Sequence, residues 1–186
     1  NIKASINGVY AAFRDAGRSI PVILSVSIET MGTMLGGQDI AALADAVAHF
    51  DLLAIGMNCA TGPDFMTDHL RTRSSLPRAF VICYPNAGLP DENGVYNESP
   101  AMVAKKVGRF ADEGWVNIVG GCCGTTPEHI KLMAEAVAGK PPRRAHKPRR
   151  ASVSGMESLY LDEDRRPLNV GERTNVIGSR KFKELI

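Results

Sequence analysis

The apolar positions of the chain recur with two alternating periods. Ile6, Val9, Tyr10 and Phe13 are spaced as one face of a helix, which predicts an amphipathic helix over 5–16. The apolar run at 21–28 predicts a strand, and Ile40, Leu43, Ala44 and Val47 mark the inner face of a second helix. The pattern repeats with a strand at 52–57, a short helix near 64–73 and a strand at 79–84. Ser99-Pro100 then supplies an N-cap and a first-turn proline for a helix through Asp112. A fourth strand at 116–119 leads into a helix capped by Thr126, with Pro127 at its first position and Ile130, Met133, Ala134 and Val137 as its inner stripe.

Strands that are apolar throughout and alternate with amphipathic helices imply a parallel sheet covered by helices, an α/β fold. Four such units follow an opening helix, and a closed barrel of eight takes about 250 residues. Residues 1–138 therefore read as the C-terminal half of a (βα)8 TIM barrel. Residues 139–166, rich in Pro and Arg at the start, read as a linker. Residues 167–186 read as the start of a second barrel, whose first strand would run through Arg166-Pro167-Leu168-Asn169-Val170-Gly171. The first residue is Asn rather than Met, so the chain is expected to be a fragment or a processed product. A half barrel would expose unpaired strand edges and an apolar inner face, so it is expected to be inactive by itself.

Composition narrows the class without changing the picture. With 44% hydrophobic and 23% charged residues the chain resembles ordinary soluble domains. It shows no signal peptide and no apolar run near the roughly 20 residues of a membrane span, so no membrane partner and a cytoplasmic location are expected. The net charge of +2 conceals six cations between 139 and 151 with no acid among them, which leaves the rest of the chain at −4. That run reads as a solvated linker, and no nucleic-acid partner is expected.

The chemistry gathers where strands end. Gly120-Gly121-Cys122-Cys123-Gly124-Thr125-Thr126-Pro127 follows the fourth strand, and Cys59 follows the second. Neighbouring side chains on a regular strand point to opposite faces, so both thiols of a Cys-Cys pair reach one atom only if flanking glycines bend the backbone. A lone pair of this kind is as easily explained as buried core thiols, and Cys83, inside a strand, is read that way. His49, His69, His129 and His146 have no matching partners and read as surface or helix-end residues. With Cys59 added, three soft ligands favour zinc and leave its fourth position open. Zinc held by three thiolates activates water weakly, whereas it suits binding a substrate thiol and lowering its pKa. Alkyl transfer to sulfur is thus favoured over hydrolysis. A non-catalytic zinc staple is the rival, though such sites normally have four protein ligands.

Gly56-Met57-Asn58-Cys59, Tyr84-Pro85-Asn86-Ala87-Gly88 and the Gly-Gly-Cys-Cys-Gly run together resemble the homocysteine-binding barrel of the homocysteine methyltransferase family. Asn169-Val170-Gly171-Glu172-Arg173-Thr174-Asn175, with Gly178-Ser179 and Lys181-Phe182, resembles the opening of a methyltetrahydrofolate-binding barrel. This pairing implies the cobalamin-dependent branch of the family, with zinc, methylcobalamin from a module outside this chain, and methyltetrahydrofolate as methyl donor. A stand-alone enzyme with a betaine or sulfonium donor is the alternative. The resemblance implies Cys59, Cys122 and Cys123 as zinc ligands around a homocysteine sulfur. It places Asn86 near the metal, and Ser27, Glu29 and Asn58 with Asn86 at the substrate. Glu172 and Asn175 would face the pterin of the folate.

Overall fold

The computed structural model describes residues 1–76, 79–144, 151–168 and 177–185. Helix α1 (Ile2–Ala16) is followed by β1 (Ile23–Val26), α2 (Ile40–Ala46), β2 (Ala54–Asn58), α3 (Pro63–Ser75), β3 (Phe80–Tyr84), α4 (Pro100–Asp112), β4 (Ile118–Val119) and α5 (Pro127–Val137). The four strands form one parallel sheet in the order β1-β2-β3-β4, with Ile55 opposite Val81 and Ile82 opposite Ile118. Sequential parallel strands with a helix in every crossover form an α/β fold consistent with part of a TIM barrel.

Burial accounts for the strand composition. β2 is buried along Ala54–Met57 because it lies between β1 and β3. Gly56 is required there: a Cβ on it would come within 1.7 Å of the Ile82 carbonyl oxygen on β3. Ile40, Leu43, Met66, Leu70 and Phe110 cover the sheet together with Met57, Val81 and Cys83. A second cluster of Val103, Ala104, Val107 and Met133 joins α4 to α5. Each fully buried aliphatic or aromatic side chain is worth roughly 1.5–3 kcal/mol.

Helix starts follow their caps. Asp39 accepts from the Ala42 amide (2.6 Å), and Ser99 accepts from the Met102 amide (3.4 Å) just ahead of Pro100. At α5 the Thr126 hydroxyl and the His129 ring form a capping box.

The structure corrects several expectations. The fourth strand is only Ile118–Val119 and not 116–119; Asn117 accepts the Val81 amide on its Oδ1 (3.0 Å) and donates to the Arg143 carbonyl (2.9 Å). On α5 the inward residues are His129, Met133 and in part Val137, whereas Ile130 and Ala134 are exposed, because α5 packs chiefly sideways on α4. His129 is at a helix end as expected, yet it is buried. On α1, Ile6 is buried but Val9 is exposed.

The largest correction concerns the basic segment. Lys140 bonds the Gly108 carbonyl (3.0 Å) and pairs with Asp112 (2.7 Å). Arg143, 5% exposed, plugs the N-terminal end of the sheet. Its guanidinium donates to the carbonyls of Ser74 (2.8 Å), Leu76 (2.5 Å) and Ala79 (3.4 Å), and its own carbonyl accepts from Asn117 (2.9 Å). A cation near the end of α3 also meets the negative end of that helix. Further on, β5 (Ser152–Ser154) and β6 (Ser158–Tyr160) form an antiparallel hairpin on the start of α2, where Ser154 bonds the Ala42 carbonyl (2.7 Å). A single-turn 3₁₀ helix (Glu163–Arg165) and the short α6 (Arg180–Lys183) follow. Of the strand expected across 166–171, residues 169–171 lie outside the described residues, as do Glu172, Asn175 and His146.

Candidate metal centre

All candidate residues among the described ones stand at the C-terminal end of the sheet. The segment Tyr84-Pro85-Asn86-Ala87, leaving β3, is the spacer between two thiol-bearing loops. On one side the Cys59 amide donates to the Tyr84 carbonyl (2.9 Å) and the Asn86 amide to the Thr61 carbonyl (3.2 Å). On the other, the Cys122 amide donates to the Pro85 carbonyl and the Ala87 amide to the Cys123 carbonyl, both at 2.9 Å.

Each loop bends in a way a regular strand does not. Cys59 and Ala60 take φ of +57° and +54°, a left-handed backbone that costs a non-glycine residue roughly 1–2 kcal/mol. Their conformation is held by the Cys59–Tyr84 bond and by a tight Thr61 amide to Cys59 carbonyl bond of 2.6 Å. This bend carries the Cys59 thiol across toward the fourth strand. Cys122-Cys123-Gly124-Thr125 is a turn closed by the Thr125 amide on the Cys122 carbonyl (3.2 Å), with Gly124 at its third position at φ +76°. Positive φ there defines a type II turn and calls for glycine. The turn lets adjacent cysteines share one site.

The result is a cluster of three sulfurs. Cys59 Sγ lies 3.5 Å from Cys123 Sγ, Cys122 Sγ lies 3.9 Å from Cys123 Sγ, and all three fall within 4.8 Å of one another. Zinc–sulfur bonds of about 2.3 Å in a tetrahedron separate sulfurs by about 3.8 Å, so the spacing fits such an ion. All four cysteines are free thiols, and Cys83 is set apart, buried against Met66 with a sulfur–sulfur distance of 3.7 Å.

The electrostatics favour a cation. The Ala60 amide, then the neighbouring thiols and the Asn86 side chain, hold the Cys59 thiol below its ordinary pKa against the opposing effect of burial. Burial, then Cys59 and Cys123, push Cys122 up to about 11. One thiolate forms readily, and its charge resists the next. A soft divalent ion removes that conflict.

Asn86, 2% exposed, accepts the Cys123 amide on its Oδ1 (3.1 Å) while its own backbone amide donates to the Thr61 carbonyl (3.2 Å), so it bridges both loops. Asn58 is half-buried, and its Oδ1 accepts the Ser25 hydroxyl (2.6 Å), tying β2 to β1. Ser27 and Glu29 are exposed beyond β1, outside the network that joins the thiols. Glu29 begins a turn in which its amide donates to the Thr33 carbonyl (2.9 Å). Sequence reasoning missed Tyr96, whose side chain lies over Gly124 in the Cys-Cys turn; it lies 27 residues before Cys123 on a loop with no apolar periodicity to place it. No helix among the described residues is long and apolar enough to cross a membrane.

A parallel α/β sheet with three thiols at its C-terminal end carries a cluster that could hold a soft metal ion where enzymes of this architecture place their chemistry. Residues 1–137 match the homocysteine S-methyltransferase family, and the chain belongs to it. Members of this family transfer methyl groups to homocysteine and normally bind zinc, and Cys59, Cys122 and Cys123 could hold that metal here.

Proposed function

We propose that this chain is the substrate-thiol portion of a cobalamin-dependent methionine synthase. In this reading residues 1–138 are the C-terminal half of the homocysteine barrel, 139–166 connect the barrels, and 167–186 open a pterin-binding barrel with Glu172 and Asn175 toward the folate. The enzyme works in the cytoplasm, where its thiols stay reduced. The observation that carries the proposal is the cluster of three sulfurs within 4.8 Å at the strand ends, inside a region that matches the family.

Cys59, Cys122 and Cys123 would hold a zinc ion and leave room on it for the homocysteine sulfur. Bound zinc supplies a Lewis acid that keeps a substrate thiol deprotonated at neutral pH. Asn86 keeps the two thiol loops in register, and Ser27, Glu29 and Asn58 line the side from which the amino-acid end of homocysteine enters. Methylcobalamin, bound by a module outside this chain, would supply the methyl group that the substrate thiol accepts, and methyltetrahydrofolate would replenish it. The run Gly171-Glu172-Arg173-Thr174-Asn175 favours a folate source over a betaine or sulfonium donor.

Metal analysis of the intact protein tests this. Cys122→Ala is expected to abolish zinc retention, and a full zinc complement in that variant would overturn the ligand set. Sulfur coordination seen by zinc X-ray absorption is expected to rise when homocysteine is added. An unchanged spectrum would leave the metal as a staple of the fold.

A further inference from the structure

Two loops carry the three thiols, and one residue outside both is bonded to the segments on which each depends. Glu98 ends the connection between β3 and α4, directly before the Ser99 cap. Its amide donates to the carbonyl of Ala87, next to Asn86 (3.1 Å). Its carbonyl accepts from His129 Nε2 (3.0 Å). Its carboxylate takes the Lys106 ammonium (2.8 Å), which reaches on to Asp64 (2.6 Å). Asp64 stands in the first turn of α3, five residues after Cys59, and His129 in the first turn of α5, six residues after Cys123.

The histidine suits this link. The Thr126 amide donates to its Nδ1 (3.1 Å), so the ring proton sits on Nε2 and faces an oxygen that can only accept. A capping box is ordinarily closed by Glu or Gln. An ionised glutamate would satisfy the Thr126 amide but bring no proton to the Glu98 carbonyl.

Packing and charge make the link stiff. A Cβ on Gly62 would come within 2.8 Å of Gly88 Cα, and one on Gly88 within 2.8 Å of Glu98 Cγ. The start of α3, the stem after Asn86 and the Glu98 side chain thus lie stacked with no room for a methyl group. Glu98 and Lys106 are both mostly buried, where opposite charges hold each other more strongly than at the surface. The second carboxylate oxygen is buried without a hydrogen-bond partner among the described residues, so Lys106 is what compensates the acid. Resting on the reading of the three cysteines as zinc ligands, we propose that Glu98 is a positioning residue of the metal centre. Its carboxylate and carbonyl fix the starts of α3 and α5 against each other, and with them the Cys59 bend and the Cys122-Cys123 turn. The residue acts through the two loops and not on the substrate.

Cobalt(II) substituted into the intact protein tests this role. Glu98→Ala is expected to lower metal affinity by chelator competition roughly tenfold. The visible d–d bands are expected to lose intensity as the coordination departs from tetrahedral. Glu98→Gln, which keeps the shape and an oxygen for Lys106, is expected to restore most of both. His129→Asn keeps an acceptor for the Thr126 amide and loses the donor to Glu98, so it should weaken the metal as Glu98→Ala does, while His129→Gln should not. Lys140→Met breaks an ion pair with Asp112 at the far end of α4 and is expected to leave affinity and spectrum alone. Parent values in both Glu98→Ala and His129→Asn would overturn the proposal. So would an equal loss in Lys140→Met, since general destabilisation would then be the cause. Failure of the ligand reading looks different: the parent itself takes up no cobalt, or Cys122→Ala retains the parent's spectrum.

Discussion

The two ends of the parallel sheet solve opposite problems with similar means. At the N-terminal end a cation from a distant segment, Arg143, is set among the carbonyls of Ser74, Leu76 and Ala79, so that its charge is answered on the spot. At the C-terminal end three thiols are brought together by backbone bonds through Tyr84-Pro85-Asn86-Ala87, and their charges oppose one another. The first also holds like charge nearby, since burial and then Arg143 lower the pKa of the buried Arg73. The second could hold a cation between its three thiols. Left-handed φ values occur at both ends, at Ala79 beside Arg143 and at Cys59 and Ala60 beside the thiols. What differs is the group each end places: a cation among carbonyls at one, three thiols at the other.

Cysteine reactivity should show this contrast most strongly. In metal-free protein the Cys59 thiol, held below its ordinary pKa, is expected to alkylate first. Cys83, fully buried and with its pKa raised by that burial, must wait for the core to open. Opening a core costs about 5 kcal/mol or more, so the expected gap in rate is on the order of 10³-fold or more. Peptide mapping by mass spectrometry reads it, and equal rates would erase the distinction between the ends.

Next in size is the plug. Arg143→Met removes a charged donor from three carbonyls and is expected to cost about 3 kcal/mol in denaturant unfolding, with zinc retained below the transition. An unchanged midpoint would show that the cation does not hold that end together. At the other end, Gly124→Ala forces a side chain into positive φ and against Tyr96. About 1–2 kcal/mol of stability is expected to be lost, together with most of the metal affinity. Normal affinity would mean the turn tolerates other geometry.

The smallest effect is a dependence on pH. Cys122 in the fold titrates at about 11 against an ordinary value of 9.0. Its proton is therefore held more tightly in the folded state, and its stabilising share is complete below pH 9.0 and disappears as pH rises toward 11. Metal-free protein should lose stability across that window, and Cys122→Ala should lose less. Partial solvent access keeps the effect small. Identical pH profiles would show that the thiols do not feel one another.

Much of this contrast was legible in the chain, and the limits are physical. The alternation of apolar runs with helical periods, the caps at Ser99 and Thr126 and the glycine frame around Cys122-Cys123 are local, and each points to the element found. The shortness of β4, the exposure of Ile130 and Ala134, and the burial of Arg143 depend on what lies opposite. No period along the chain carries that information. The segment 139–151 illustrates the gap: its charge suggested solvent throughout, yet Lys140 and Arg143 fold back onto helix ends 32 and up to 69 residues away.

By itself the sequence determined an α/β alternation, the kind of atoms at the strand ends and the membership of residues 1–137 in a methyltransferase family, because those follow from residue type and local spacing. Tertiary structure alone decided that Cys59 reaches Cys123 across a strand, that Asn86 bridges both loops and that Tyr96 leans on the turn. Those outcomes depend on distances between residues far apart in the chain, and only the packed sheet sets them.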